Sequence, residues 1–269
     1  MLKRTKTISV ALFLVLLVSG IGFYVLLPTP PRDVDKICKR GEIRIAVRMN
    51  QIDYMMRGDT LAGFQYELAK QFADSCLHVK PQFIRVSDLS EAIIALKMGK
   101  VDLIAQNIPE TTEMLDGMII ASPIVISKAV LVQRKGTADD TVFISNQLSL
   151  GKKQLCVVKG SPYSQRIKHL SEEISDTIYV SEMDLHDSEE LILLIAKGSI
   201  RYGVCDEKVA YYFAKRFPGI DVGLDIGFSQ MQGWGINQKS PVLANTINLW
   251  MQKFVKTAKF NQLYAKYYN

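Results

Sequence analysis

The apolar residues of this chain fall into two rhythms. The first is an uninterrupted run from Ile8 to Leu27 with no charged side chain. A run of about 20 residues spans a hydrocarbon core at the helical rise. The second rhythm begins at Gly41. Short runs rich in β-branched residues alternate there with stretches whose apolar positions recur every third or fourth residue, a pattern of strands and amphipathic helices. Ile43–Val47 reads as a buried strand. Gly63–Ser75 reads as a helix with Phe64, Leu68, Phe72 and Cys76 on one face. Phe83–Val86 is a predicted strand, Leu89–Met98 a helix that Gly99 stops, and Val101–Ala105 the next strand. Strand, helix, strand, helix, strand implies a parallel sheet with helices on its faces.

The same grammar returns about a hundred residues later, too long a period for a solenoid. Leu155–Val158 is a predicted strand, Gly160-Ser161-Pro162 leads into a helix near Tyr163, and Thr177–Val180 is a strand. Ser188–Lys197 is a helix stopped by Gly198, and Tyr202–Cys205 is a strand. The segment from Ser188 to Ile200 echoes the one from Ser90 to Asp102. Two extended stretches, Ile124–Arg134 and Gly227–Asn237, lead into no α/β unit of their own. They predict a chain that leaves a first lobe, builds a second, returns, and finishes on the first with helices after Pro241. The expected division is residues 38–125 and 229–269 for lobe 1 and 126–228 for lobe 2. The space between two such lobes is a cleft, and the paired crossings a hinge.

Charge changes the reading of the N-terminus. Lys3, Arg4 and Lys6 precede the apolar run, and no positive charge follows it until Arg32. That asymmetry keeps residues 1–7 in the cytoplasm, makes 8–27 a transmembrane anchor, and places the rest outside the cytoplasmic membrane. A cleaved signal peptide is the competing reading. It wants a shorter apolar core and a small-x-small site, for which Gly20, Gly22 and Pro28 are poor material. A lipoprotein needs a Cys directly after the core, and none is there. Residues 28–37, with Pro28, Pro30 and Pro31, read as a short stiff linker.

Composition narrows the chemistry. The net charge of +6 is not gathered into Lys/Arg clusters with interleaved aromatics, so nucleic acid is not an expected partner. Three scattered His and no CxxC leave no pattern for a metal site, and no cofactor motif occurs. Export permits disulfides. Cys38 and Cys76 fall at one edge of the first βαβ unit and are expected to bridge, while Cys156 and Cys205 sit in apolar strands and read as buried thiols.

The ordered pieces carry a resemblance. Gly41-Glu42-Ile43-Arg44-Ile45-Ala46-Val47 followed by Leu61-Ala62-Gly63-Phe64-Gln65-Tyr66-Glu67-Leu68-Ala69-Lys70-Gln71-Phe72-Ala73 is similar to the opening of the bacterial extracellular solute-binding proteins of the amino-acid type. The N-terminal binding module of membrane-bound lytic transglycosylases of the F type is especially similar. Lys100–Ala105, Ala121-Ser122-Pro123, Val158-Lys159-Gly160-Ser161, Val204-Cys205-Asp206 and the closing Leu263–Tyr268 follow in the family's order. The resemblance, from about Asp35 to Asn269, implies a two-lobed type II periplasmic-binding fold. It departs at one point. Amino-acid binders carry an Arg after the strand equivalent to Val101–Ala105 that clamps the ligand carboxylate, whereas Ile108–Leu115 holds none and no Arg occurs between Arg85 and Arg134. Met and Leu cannot replace a bidentate guanidinium, so weak binding of an ordinary free amino acid is expected. The transglycosylase catalytic domain is not in this sequence, and cell-wall cleavage is not expected of it.

Ligands of open α/β sheets sit beyond the carboxyl ends of the strands. Arg48 and Asn50 follow the first strand, and Arg48 either supplies the missing positive charge or pairs with a surface Asp. Tyr54 and Phe64 match positions where the family places aromatics near the cleft; core packing is the alternative, especially for Phe64. Gln106, Asn107 and Ile108 follow the strand Val101–Ala105 and either meet polar ligand atoms or cap the strand end. Gly160, Ser161 and Tyr163 stand where a helix start favours an anionic group, although Ser161 also suits an N-cap. Asp206 matches the family's receiver of a ligand ammonium, and it also suits an N-cap for a helix from Glu207. The expected function is a membrane-anchored binding or sensing protein that closes over a small polar solute, such as a peptide or cell-wall fragment. Its expected partners are an inner-membrane permease or a cell-wall enzyme. The substrate-binding component of an ABC transporter is the alternative, and a dehydratase-like enzyme a third reading. The third finds little support, since no nucleophile or metal pairs with Glu110, Glu113 or Asp206.

Overall fold

The computed structural model describes residues 28–110, 117–136 and 142–268. The expected anchor, Ile8 to Leu27, and the stretch Thr111-Thr112-Glu113-Met114-Leu115 lie outside the described residues.

Two α/β lobes each wrap a mixed sheet. The first lobe opens with α1 (Val34–Arg40), β1 (Glu42–Arg48), the hairpin β2 (Met55–Arg57) and β3 (Thr60–Ala62), and α2 (Phe64–Phe72), which runs on into a π-helical turn over Ala73–Leu77. It continues through β4 (Lys80–Val86), α3 (Leu89–Lys97), β5 (Leu103–Pro109), β6 (Met118–Ile120) and β7 (Val125–Ser127). The second sheet takes β8 (Ala129–Arg134), β9 (Gln154–Val158), β10 (Tyr179–Met183), β11 (Tyr202–Asp206) and β12 (Ile220–Asp225), with α4 (Tyr163–Glu173), α5 (Ser188–Ala196) and α6 (Glu207–Ala214) between them. The chain returns as β13 (Gln230–Asn237) and ends in α7 (Pro241–Phe254) and α8 (Ala258–Tyr268).

The first sheet runs β4-β1-β5-β13-β6, with β7 also on β13. The second runs β10-β9-β11-β8-β12. Strands joined by a helix are parallel, as the sequence grammar predicts. The wholly parallel sheet it implied is corrected by β13 and β8, which pair antiparallel with their neighbours. These are the strands that carry the chain between lobes. Lys128 alone separates β7 in one sheet from β8 in the other, and four residues separate β12 from β13.

The echo between the lobes has a physical basis. Asp88 caps α3 by accepting from Glu91 N at 2.8 Å, and Glu91 reaches back to Ser87 N at 2.7 Å. Asp187 caps α5 by accepting from Glu190 N at 3.0 Å, and Glu190 reaches back to His186 N at 3.0 Å. Such reciprocal caps satisfy amide groups that a helix start leaves open. Each helix then ends before a glycine in the left-handed region, Gly99 at φ 66° and Gly198 at φ 84°.

The first lobe's main core gathers α2, α7 and α8 over one face of its sheet. Phe64 and Phe72 are fully buried there, and side chains of that size contribute about 1.5–3 kcal/mol each on burial. The C-terminal helices thus pack on the first lobe, through Leu243, Ile247, Met251, Phe260 and Tyr267.

Residues expected to form a short stiff linker are instead fastened to that lobe. Thr29 N donates to Met98 O at 2.9 Å. Arg32 is buried and donates through Nε to Asp102 Oδ1 at 2.9 Å, and Arg44 donates to the same carboxylate through NH2 at 2.8 Å. Burial alone pushes Asp102 up, but the hydrogen bonds from Arg32 and Arg44 outweigh it and hold the carboxyl below the usual range. Asp33 caps α1 through Val34 N at 2.9 Å and also receives Leu243 N, at the start of α7, at 2.7 Å. A buried ion pair and a shared cap hold this segment, and neither shows in a Pro-rich composition.

The Cys38–Cys76 bridge is also corrected. All four cysteines are free thiols, with Cys38 exposed, Cys76 half-buried, and Cys156 and Cys205 buried. Cys38 lies in the last turn of α1 facing solvent. It stays near enough that its charge adds to the effect of burial in raising Cys76.

Candidate functional site

A cavity of about 130 Å³ lies between the lobes, bordered by the carboxyl ends of β1, β5, β9 and β11. That is many times the ~10–15 Å³ needed by one water. Bonds cross its mouth. Gln51 Nε2 donates to Glu189 Oε1 at 2.9 Å, and Arg48 donates to the His186 carbonyl.

Arg48, Asn50, Gln106, Asn107, Gly160, Ser161, Tyr163 and Asp206, all anticipated from the sequence, border this cavity. Asn107 is spent on support. Its Oδ1 accepts from Gln65 Nε2 at 2.7 Å and its Nδ2 donates to Tyr268 Oη at 2.9 Å, while Gln65 Oε1 accepts from Trp234 Nε1 at 2.7 Å. A buried relay thus runs from the core to a tyrosine on the cavity wall.

Three further candidates, Tyr54, Phe64 and Ile108, do not line this cavity. Tyr54 is 3% exposed and packs its ring against Tyr66 and Phe83, each at 5.8 Å. The hairpin β2–β3, which follows it, folds it inward. Phe64 is wholly buried against Tyr268 at 4.8 Å. Ile108 is buried under α3, because β5 begins two residues later than expected and carries Gln106, Asn107 and Ile108 as strand residues.

Asp53 was missed. It lies in the loop after β1, and the Asn50 side chain shapes that loop by accepting from Ile52 N at 2.9 Å and Asp53 N at 2.6 Å. Asn50 Nδ2 in turn donates to Asp53 Oδ2 at 2.9 Å. The start of α2 pins the loop from behind, through Phe64 N to Ile52 O at 2.7 Å and Tyr66 N to Asp53 O at 3.0 Å. Gly63, at φ 131°, permits this approach, since a Cβ there would stand 2.3 Å from Asp53 O. The readable signal was the Asn-x-x-Asp spacing directly after a strand, which favours an Asx turn.

The electrostatics are those of an acidic pair beside one guanidinium. Burial pushes Asp53 up to about 6, with the charge of Asp206 adding to the rise and the Asn50 bond and Arg48 opposing it. Burial also raises Asp206, against hydrogen bonds that include Gln232 Nε2 at 3.1 Å and Lys208 N at 2.8 Å. The bond from Lys208 N makes Asp206 the N-cap of α6 as well as a cavity residue. Tyr163 and Tyr268 are pushed well above the usual phenol value, first by burial and then by the neighbouring acids.

Four buried polar atoms on this wall have no partner: Arg48 Nε, Asp53 Oδ1, Gln106 Nε2 and Ser161 Oγ. Ser161 does not cap α4, whose N-cap position is Pro162 with no side-chain bond. Buried polar groups are nearly always paired with protein or water, so these four atoms leave the wall of one cavity with hydrogen-bonding capacity that a polar ligand or water can meet.

Two lobes joined by antiparallel crossing strands around a polar cavity define a solute-binding protein. The chain belongs to the bacterial extracellular solute-binding proteins, family 3, whose pattern matches residues 43–269. It is 28% identical over 251 residues to the membrane-bound lytic murein transglycosylase F of Aeromonas hydrophila, covering 93% of this chain and 48% of that one. It is 24% identical over 268 residues to the protein of the same name from Desulfosudis oleivorans, covering 100% of this chain and 58% of that one. The chain thus spans about half the length of these relatives. Among solved structures it is similar to the solute receptor for L-cysteine of Neisseria gonorrhoeae (TM-score 0.75, 21% identity, 88% of this chain and 93% of that one). An ancestral arginine-binding protein bound to arginine is also similar (TM-score 0.73, 23% identity, 86% of this chain and 99% of that one). At these identities the structures speak for the fold.

Proposed function

We propose that this protein is a membrane-anchored solute-binding or sensing protein that closes its cleft over a small polar ligand outside the cytoplasmic membrane, without covalent chemistry. The carrying observation is the set of unpartnered polar atoms on the cavity wall: Arg48 Nε, Asp53 Oδ1, Gln106 Nε2 and Ser161 Oγ. A cationic group of the ligand meets Asp206, and a polar or anionic group meets Arg48 and Ser161. The amino-acid receptors among the structural neighbours support a ligand of that size. Anchoring rests on the charge-free run from Ile8 to Leu27 behind Lys3, Arg4 and Lys6. Relatives named as murein transglycosylases support a cell-wall peptide as ligand and a cell-wall enzyme as partner. Service to an ABC permease is the second reading, favoured by the likeness to a solute receptor.

The test is a thermal-shift screen of the full chain in detergent against amino acids, short peptides and muropeptides. A ligand at 100 times its Kd raises stability by about 2.7 kcal/mol. A shift with wild type that disappears in Arg48→Ala and Asp206→Ala is the expected result. A shift equal in all three proteins would place the binding elsewhere.

A further inference from the structure

The charges enclosed between the lobes do not balance. The carboxylates at the mouth already have roles, since Glu189 lies 3.9 Å from Arg216 and Asp187 caps α5. Deeper in, two carboxylates, Asp53 and Asp206, face one guanidinium, Arg48. Asp206 is held by Gln232 and by the backbone of Lys208. Asp53 differs. Asn50 fixes one of its oxygens at 2.9 Å, and the other is buried, faces the cavity and has no partner. A structural acid has both oxygens satisfied. This one is oriented by its own loop and left open on the ligand side, beside an Arg48 Nε that is open as well.

Resting on the reading of the cleft as a solute site, we propose that Asp53 determines specificity: it receives a second cationic group, so that the preferred solute carries two positive groups and one negative group. A ligand of net charge +1 with that pattern gives every buried charge an opposite partner: one cation on Asp206, one on Asp53, and the anion on Arg48. A zwitterionic monoamino acid leaves Asp53 buried and unpaired, and a monoamine leaves Arg48 unpaired. An unpaired buried charge is what costs affinity. The ligand class is therefore a dibasic amino acid or a peptide end with the same pattern. The missing Arg after β5 disfavours ordinary amino acids without closing the site to these.

The matched probes are L-lysine and L-norleucine, which share a four-carbon side chain and differ by the terminal ammonium. Calorimetry on the full chain in detergent micelles at pH 7.5 should show lysine binding about 30-fold or more tighter than norleucine. Asp53→Asn should bring the two within about threefold by weakening lysine alone, and Asp206→Asn should weaken both. Lowering wild type to pH 5 should shrink the ratio without any substitution, because Asp53 takes up a proton, while titration of Asp206 acts on both probes alike. The pH arm keeps the test decisive if the variant does not fold. A wild-type ratio near one, or a ratio that Asp53→Asn and pH leave unchanged, overturns the role of Asp53 and leaves the solute reading standing. No binding of either probe at millimolar concentration overturns the dibasic class, and silence across the wider screen overturns the solute reading itself.

Discussion

Gln232, on the strand that returns the chain to the first lobe, donates through Nε2 to Asp206 Oδ2 at 3.1 Å, at the end of a strand in the second. The acid offered to the ligand is thus held by the hinge. Removing the donor takes a buried, charge-assisted bond from the carboxylate, worth about 1.5–3 kcal/mol. It also lets burial push Asp206 further up, which weakens its pull on a cation. Gln232→Ala is expected to reduce cationic-ligand affinity about 10-fold by calorimetry. An affinity within about twofold of wild type would show that the bond is idle.

Asp53 gives a pH signature in the unliganded protein. Its carboxyl is raised to about 6 by burial, against about 3.9 in an unfolded chain. A raised acid favours folding while protonated, so that contribution is complete below about pH 4 and is lost as pH climbs through 6. The gap corresponds to about 3 kcal/mol. Asp53→Asn, which cannot ionise, should therefore melt higher than wild type at pH 7.5 and equal to it near pH 4. A constant difference across that range would mean that Asp53 is not the group responsible.

Asp102 has the opposite sign. Arg32 and Arg44 hold its carboxyl below the usual range against burial, so its contribution is present above the unfolded value near 3.9 and is lost as pH falls through the folded one. Arg32→Ala should cost about 2–3 kcal/mol in urea unfolding, somewhat less than an abandoned buried charge because Arg44 remains. It should also move acid unfolding to higher pH. Unchanged stability in both assays would show Arg32 to be dispensable.

Gly63→Ala tests the support behind Asp53. The new Cβ would stand 2.3 Å from Asp53 O at a φ of 131°, a conformation that costs about 1–3 kcal/mol for other residues before any clash. Lower melting temperature and weaker ligand binding should appear together. Loss of stability with intact binding would show that the loop holds itself.

Much of the fold was legible because it rests on local signals. The β-branched runs became β1, β9 and β11, and Gly99 and Gly198 ended their helices. The elements that escaped notice are short or stabilised from a distance. β2, β3 and β6 have three residues each, too few for a period to show. Helix α1 is short, and the residues before it are tied to distant partners, Asp33 to Leu243 and Arg32 to Asp102, 70 or more positions away. In the site, strand ends pointed to Arg48, Gln106 and Asp206. Tyr54 misled because an aromatic residue in a loop offers the same face to a ligand or to a neighbouring ring, and the hairpin decides which. Tyr268 reaches the cavity only through tertiary placement, by the last turn of the chain's final helix, whereas Asp53 is set by a local Asx turn whose spacing is short enough to read.

The bond from Thr29 to Met98, with Arg32 and Asp33 behind it, removes the slack at the front of the chain. From Thr29 to Asp33 the chain is thus part of the first lobe, as fixed as a post. Among the described residues, the backbone passes between the lobes at Lys128 and between Asp225 and Gln230, and a closing cleft turns the second lobe on these two passages. Under the proposed anchoring, a neighbour at the same surface would sense an empty or filled cleft as a change in reach: how far the second lobe extends from a footing that stays still.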